Sequence, residues 1–266
     1  MEQQTRFTAA PSRKFDDLLR VMHILRNNCP WDRKQTHESI RDLMIEEVYE
    51  AIEAIDEGDM AELKKELGDI LLHVVFHAEM AQESASFDMG DVIYAIQDKL
   101  ISRHPHVFGD NDTVAGDSEV VKQNWEKIKQ REQGRKSVLQ GVPVHLPGLL
   151  RAQRMQEKAG AVGFDWQTWP EAWKKLDEEI SEFREALETN DRDEQEREFG
   201  DLLFSIVNVG RLAGLDAENA LRTTNNKFLR RFSYIEESLA KTGRKTSEST
   251  LEEMDALWEE AKQKLG

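Results

Sequence analysis

The chain has 266 residues, and 52 aspartates and glutamates against 36 lysines and arginines give it a formal charge of −16 at pH 7. This balance, without a long basic run, argues against nucleic acid or an anionic membrane as a partner, because both reward a concentrated cationic patch. The single cysteine, Cys29, excludes an internal disulfide and a thiolate metal cluster, and no apolar stretch approaches the ~18 residues that a membrane span needs. The first residues also lack an apolar signal core, so the sequence predicts a cytoplasmic protein.

The first half of the chain is predicted to be helical, because its apolar residues recur three and four positions apart, as they do over residues 18–25. Residues 1–14 precede this pattern and are expected to form a flexible tail. A Cys-Pro-Trp-Asp turn at 29–32 then leads to two helices. The first contains Glu-Glu-x-x-Glu at 46–50, and the second contains Glu-x-x-Asp at 66–69.

Four carboxylates of these two helices are expected to converge. Residues three apart on a helix share a face, so Glu47 lies beside Glu50, and Glu66 lies beside Asp69. The pairings 50 with 66 and 47 with 69 are both centred on Gly58, a residue that favours a left-handed turn. A hairpin that turns there would place all four carboxylates between two antiparallel helices.

A weakly patterned segment divides the chain near its middle. Residues 134–148 contain two prolines and three glycines, which is typical of a connection between domains. We therefore predict an N-terminal module over 15–135, a linker over 136–148 and a C-terminal module over 149–266.

The second half repeats the first, since residues 178–201 align without a gap with residues 46–69. The four carboxylates in the corresponding places are Glu179, Glu182, Glu198 and Asp201. Their pairings across a second hairpin are centred on Asn190, which also tolerates a left-handed turn. The sequence thus predicts an all-α fold, built as a tandem repeat of two helical modules.

Each cluster of carboxylates is predicted to hold a divalent cation. Four anionic groups repel one another, and burying them without a compensating cation costs several kcal/mol. Oxygen ligands without cysteine or histidine favour Mg²⁺, which Mn²⁺ can replace, over zinc. Such ions usually complete their shell with water and substrate phosphates, so the expected chemistry is hydrolysis at phosphorus. The alternative is a solvated acidic helix face, which the duplication of the same symmetric pattern disfavours.

The motifs EEVYE…ELGD and EEISE…EFGD, together with CPWD, RHPHVF, VGFDW and KFLRRF, resemble those of the MazG family of nucleoside triphosphate pyrophosphohydrolases. The resemblance covers roughly residues 15–265. It implies an all-α homodimer that uses Mg²⁺ to hydrolyse NTPs or dNTPs to the monophosphate and pyrophosphate. It also implies a catalytic C-terminal half and an N-terminal half that is inactive or regulatory.

The same resemblance assigns roles to individual residues. The metal ligands would be Glu179, Glu182, Glu198 and Asp201. The substrate contacts would be Lys175, Asp201, Lys227, Arg230, Arg231 and Trp258. We expect Glu179 and Lys175 to act in catalysis, with Lys175 stabilising the leaving pyrophosphate and Glu178 orienting the attacking water or serving as its general base.

The two halves differ in their cations. Leu43 stands where the second half has Lys175, and Ser102 stands where it has Arg230. The first half keeps a second set of predicted metal ligands, Glu47, Glu50, Glu66 and Asp69, in a site that the resemblance implies is inactive or regulatory. The substitutions leave open whether this site binds a nucleotide without hydrolysing it.

Two other functions are compatible with acidic helical hairpins. A di-iron carboxylate bundle uses Glu-x-x-His on two of its helices, whereas Asp69 and Asp201 take the place of the histidine here. A nucleotide-sensing or partner-binding module with degenerate metal sites is the non-enzymatic alternative, above all for residues 1–135. Neither the preferred base nor the choice between ribose and deoxyribose leaves a signature in the spacing.

Overall fold

The computed structural model describes residues 10–108 and 137–265, and each of these two ranges forms a compact unit. Within them the chain is built from helices and turns, without a β-strand. The predicted all-α tandem is therefore confirmed. Residues 1–9 of the predicted tail, and the end of the first module and start of the linker over 109–136, lie outside the described residues. No helix in the described ranges combines the length and the apolar character that crossing a membrane requires.

The described part of the first unit contains five helices and a short 3-10 turn at Asp32–Lys34. The helices are α1 (Phe15–Asn28), α2 (Arg41–Glu57), α3 (Met60–Glu83), α4 (Met89–Arg103) and α5 (Pro105–Phe108). Helices α2 and α3 form a hairpin, and α1 and α4 pack against α3. Met22 of α1 and Phe76 of α3 lie in the buried apolar core, which leaves another face of α3 for its acidic motif.

The first hairpin turns at Gly58, as the sequence predicts. Gly58 has φ +72°, in the left-handed region where a side chain would be strained. The N–H of Asp59 donates to the carbonyl oxygen of Ala54 at 2.9 Å, which closes the end of α2. The Asp59 carboxylate then caps α3 by accepting hydrogen bonds from the N–H groups of Ala61 and Glu62.

The second unit contains five helices in the described residues. They are α6 (Gly148–Gly160), α7 (Trp169–Leu187), α8 (Arg192–Leu212), α9 (Ala217–Ala240) and α10 (Leu251–Leu265). Helices α7 and α8 form the hairpin, α6 and α9 pack against α8, and α10 packs against α9. Ala172 and Leu176 of α7 meet Val209 of α8 in a buried apolar cluster, which fixes the register of the hairpin.

The second hairpin turns at Asn190, as the sequence predicts, but without the left-handed backbone that asparagine tolerates. Among the described residues, positive φ outside glycine occurs at Ala85 and not at Asn190. The hydroxyl of Thr189 makes the turn instead, because it donates to the Ala186 carbonyl oxygen at 2.8 Å and accepts from the Asp191 N–H at 3.2 Å. Asp191 then caps α8 through the N–H groups of Asp193 and Glu194.

Candidate functional site

Three carboxylates converge in the second hairpin. Glu179 of α7 and Glu198 and Asp201 of α8 each offer an oxygen, and these three oxygens lie within 4.8 Å of one another. Glu179 is buried, Glu198 is half-buried and Asp201 is exposed, so one side of the cluster faces solvent. The arrangement joins anionic groups from two helices at a place that a substrate can reach.

Glu182, the fourth predicted ligand, lies close to this cluster but is not one of its three converging members. Desolvation raises the pKa of Glu182, while Lys175 lowers it and the carboxylates of Glu179, Glu178 and Glu198 raise it again. Glu182 lies about one helical turn from Glu179 and interacts electrostatically with the cluster.

Lys175 provides a positive charge at the cluster. Its Nζ lies 2.9 Å from Oε1 of Glu179 and 3.1 Å from Oε1 of Glu178, one helical turn further along α7. The hydrogen bond to Glu179, followed by that to Glu178, raises the pKa of Lys175 despite some desolvation. The ammonium group thus stays protonated and offsets part of the negative charge.

The predicted substrate contacts outside the hairpin lie on α9 and α10. Lys227, Arg230 and Arg231 belong to α9, which packs against α8. The guanidinium of Arg231 lies 5.6 Å from the centre of the Trp258 ring, and the ring of Phe228 lies 5.2 Å from it. The structure therefore brings Arg231 and Trp258 together, with Trp258 of α10 packed against α9.

The first hairpin contains the corresponding cluster. Oxygens of Glu47, Glu66 and Asp69 lie within 4.8 Å of one another, and Glu66 is buried. Desolvation raises the pKa of Glu66 to about 7, and a hydrogen bond with Glu62 and the charges of Glu50 and Asp69 act in the same direction. The buried carboxyl therefore sits in an excess of negative charge.

Both clusters fit a hard divalent cation. Their donors are carboxylate oxygens alone, the ligand type that Mg²⁺ and Mn²⁺ prefer. Each hairpin buries one carboxylate among others, an arrangement that costs free energy unless a cation compensates it. In the second hairpin Lys175 supplies part of that compensation, whereas the corresponding residue of α2 is the apolar Leu43.

One ion pair near the second hairpin was not foreseen from the sequence. Asp165, in the turn before α7, accepts two hydrogen bonds from Arg211 of α8, at 2.9 and 2.6 Å. Asn208 accepts a further hydrogen bond from the same guanidinium at 2.6 Å. The pair ties the entrance of α7 to the end of α8. The VGFDW motif marked Asp165, but nothing in the sequence pairs it with a residue 46 positions later.

Fold and site together define a class: a duplicated all-α protein with a cluster of carboxylates between the hairpin helices of each unit. The family model described as the MazG nucleotide pyrophosphohydrolase domain matches residues 35–108 and 167–235, which contain both hairpins. The chain belongs to the MazG family.

Similar proteins from other organisms match nearly the whole chain. It is 46% identical over 252 residues to the nucleoside triphosphate pyrophosphohydrolase/pyrophosphatase MazG of Thermotoga maritima, covering 93% of this chain and 95% of the relative. It is 42% identical over 257 residues to the nucleoside triphosphate pyrophosphohydrolase of Escherichia coli, covering 94% and 97%. A protein of the same name from Mycolicibacterium smegmatis is 29% identical over 247 residues, covering 92% of this chain and 65% of the relative. The similarity therefore includes both units.

Proposed function

We propose that this chain hydrolyses nucleoside triphosphates, ribose or deoxyribose, to the monophosphate and pyrophosphate, and that the second unit is the catalytic one. The observation that carries the proposal is the convergence of Glu179, Glu198 and Asp201 within 4.8 Å, with the ammonium of Lys175 at 2.9 Å from Glu179. Membership of the MazG family and the printed names of the Thermotoga and Escherichia relatives support the same reaction.

The carboxylates of α7 and α8 would hold the metal, with Glu182 beside the converging three. Bound to Glu179, Glu182, Glu198 and Asp201, a Mg²⁺ ion would lower the pKa of a water molecule and offset the charge of the phosphates, and Mn²⁺ would serve in its place. Glu178 would accept the proton of the water that attacks the α-phosphorus. The bond from that phosphorus to the bridging oxygen then breaks, and pyrophosphate leaves.

The basic residues would bind the triphosphate and stabilise the leaving group. Lys175 would turn its ammonium toward the departing pyrophosphate, where a fixed positive charge favours the transition state. Lys227, Arg230 and Arg231 would extend this positive region along α9. Arg231 is already oriented by the Trp258 ring, so less side-chain freedom is lost when it binds a phosphate.

The first unit keeps the carboxylates and lacks two of the cations. Leu43 replaces Lys175 and Ser102 replaces Arg230, so a triphosphate would find less positive charge there. We assign the first unit a regulatory or structural role on this difference.

We also propose that the chain is a homodimer in the cytoplasm. Large apolar side chains stay exposed on the hairpins of both units, among them Met60 and Leu67 in the first and Phe199 and Ile206 in the second. Exposed apolar surface of this extent commonly marks an interface between subunits. Light scattering coupled to gel filtration tests this, and a mass of one chain at micromolar concentration would contradict it.

Product analysis is the experiment that tests the reaction. A panel of NTPs and dNTPs with Mg²⁺ should give monophosphate and pyrophosphate, and EDTA should abolish turnover until Mg²⁺ or Mn²⁺ is restored. In oxygen-18 water the label should enter the monophosphate, because the water attacks the α-phosphorus. Nucleoside diphosphate with inorganic phosphate, or label in the pyrophosphate, would refute the proposed reaction.

A further inference from the structure

One of the differences between the two units lies directly beside the acidic clusters, at a position that the internal repeat aligns. Lys175 lies one turn before Glu179 on α7 and contacts it, whereas Leu43 lies one turn before Glu47 on α2. The three carboxylates of each cluster converge within 4.8 Å, although the buried member is Glu66 in the first unit and Glu179 in the second. The residue one turn before the first ligand is therefore a local difference in charge between two similar sites.

The ammonium of Lys175 and a divalent cation would compete for Glu179. At 2.9 Å the Nζ group already hydrogen-bonds Oε1 of Glu179, an oxygen of a carboxylate that belongs to the cluster. An Mg²⁺ or Mn²⁺ ion needs a direct bond to such an oxygen and repels a neighbouring positive charge. Binding of the ion to Glu179 in the second unit therefore favours movement of Lys175 away from this carboxylate.

Lys175 is able to make that move. Its side chain is 38% exposed, so the ammonium can turn into solvent without opening the core around Leu176. A lysine has a long flexible stem and a compact charge, which lets it exchange one anionic partner for another. The freed ammonium is then available to a phosphate group.

We propose that Lys175 is an internal counter-ion that a divalent cation must displace, so that, without nucleotide, the first unit binds the cation more tightly than the second. This inference rests on the proposed function for the identity of the metal sites. In the first unit Leu43 offers no competing charge to Glu47, Glu66 and Asp69. The expected difference in affinity is about tenfold, the value of one partly exposed charge-assisted hydrogen bond.

Binding of Mn²⁺ alone, followed by the electron paramagnetic resonance of the free ion, measures this difference. Two backgrounds separate the sites: Asp69→Asn leaves the second unit intact, and Asp201→Asn leaves the first unit intact. In the Asp69→Asn background, Lys175→Met should tighten Mn²⁺ binding about tenfold. In the Asp201→Asn background, Leu43→Lys should weaken it by a similar factor, and Leu43→Met, which adds no charge, should not.

The displacement itself is measurable at the lysine. Brief acetylation followed by peptide mass spectrometry should show that Mn²⁺ raises the reactivity of Lys175, because the ammonium leaves Glu179. The neighbouring Lys174 serves as the control within the same peptide. The effect should disappear in the Asp201→Asn variant.

An unchanged Mn²⁺ affinity after Lys175→Met, or a Lys175 reactivity that Mn²⁺ leaves unaltered, would overturn the inference. Circular dichroism of each variant verifies that it is folded. If the predicted changes in Mn²⁺ affinity and Lys175 reactivity are not observed while the wild-type chain releases pyrophosphate in the presence of Mg²⁺, the role given to Lys175 is wrong and the proposed function stands. If pyrophosphate is not released at all, the proposed function fails independently of the Mn²⁺ measurements.

Discussion

Replacing Gly160 by alanine should destabilise the second unit, although alanine is the better helix former. Gly160 is the last residue of α6, and a Cβ added there would lie 2.6 Å from Oδ2 of Asp165. Asp165 cannot move aside at low cost, because Arg211 holds its carboxylate through two hydrogen bonds at 2.9 and 2.6 Å. The side chains of this ion pair are only 22% and 13% exposed, so water screens it weakly.

The size of the effect follows from two opposing contributions. Alanine in place of glycine stabilises a helix by up to about 1 kcal/mol. Disrupting hydrogen bonds to a half-buried charged group costs about 1.5–3 kcal/mol. Gly160→Ala should therefore lower the free energy of unfolding by about 1–2 kcal/mol.

Gly210→Ala is the matched control, because Gly210 lies inside α8 and a Cβ there meets nothing within 4 Å. That variant should gain up to about 1 kcal/mol. Urea denaturation followed by tryptophan fluorescence reports on the second unit through Trp166, Trp169, Trp173 and Trp258. If Gly160→Ala stabilises the unit as Gly210→Ala does, the Asp165–Arg211 pair does not fix the turn before α7.

Two further predictions concern other contacts. The hydrogen bond from Arg26 holds the pKa of Glu83 below its ordinary value of 4.5, so the pair stabilises the first unit above that pH and this contribution is lost as the pH falls through the lowered pKa. Since Glu83 is half exposed, the loss of stability should stay below about 1 kcal/mol. The acid unfolding profile of Glu83→Gln should lack this loss, and profiles identical to those of the wild type would contradict the assignment. Trp258→Leu should raise KM for the triphosphate up to about tenfold with little change in kcat, because Arg231 loses the ring that orients it. The control variant Trp169→Leu, which removes a contact with Trp173, should leave KM unchanged. Equal effects of the two substitutions in steady-state kinetics would refute the role of Trp258.

The convergence of the carboxylates could be predicted from sequence because helical spacing and the position of the turn leave little freedom. Gly58 was a strong signal, since a left-handed φ of +72° is costly for other residues. Asn190 predicted the position of the second turn but not its backbone, because tolerance of a left-handed turn is not a requirement for one, and the hydroxyl of Thr189 closes the turn. Glu50 and Glu182 interact electrostatically with the clusters without being among the converging members, because spacing alone does not tell which carboxylate of a helix face comes nearest the partner helix.

Contacts between segments distant in sequence could not be predicted from the helical periodicity of the residues. Asp165 and Arg211 are 46 residues apart and belong to no common period, so only the packing of α6, α7 and α8 brings them together. Lys175 was predicted as a phosphate contact, and its pairing with Glu179 and Glu178 appears only when rotamers are known. Sequence thus gives which residues share a face, while side-chain partners depend on three-dimensional packing.

Pyrophosphate release by Glu179→Gln tests the central claim most directly. This substitution keeps the size of the buried side chain and removes the negative charge that Glu179 contributes to the cluster with Glu198 and Asp201. The rate with Mg²⁺ should fall about a hundredfold or more, while Glu185→Gln, on the exposed surface of the same helix, should keep the wild-type rate. Near-normal turnover by Glu179→Gln would contradict the assignment of the second hairpin as the catalytic site.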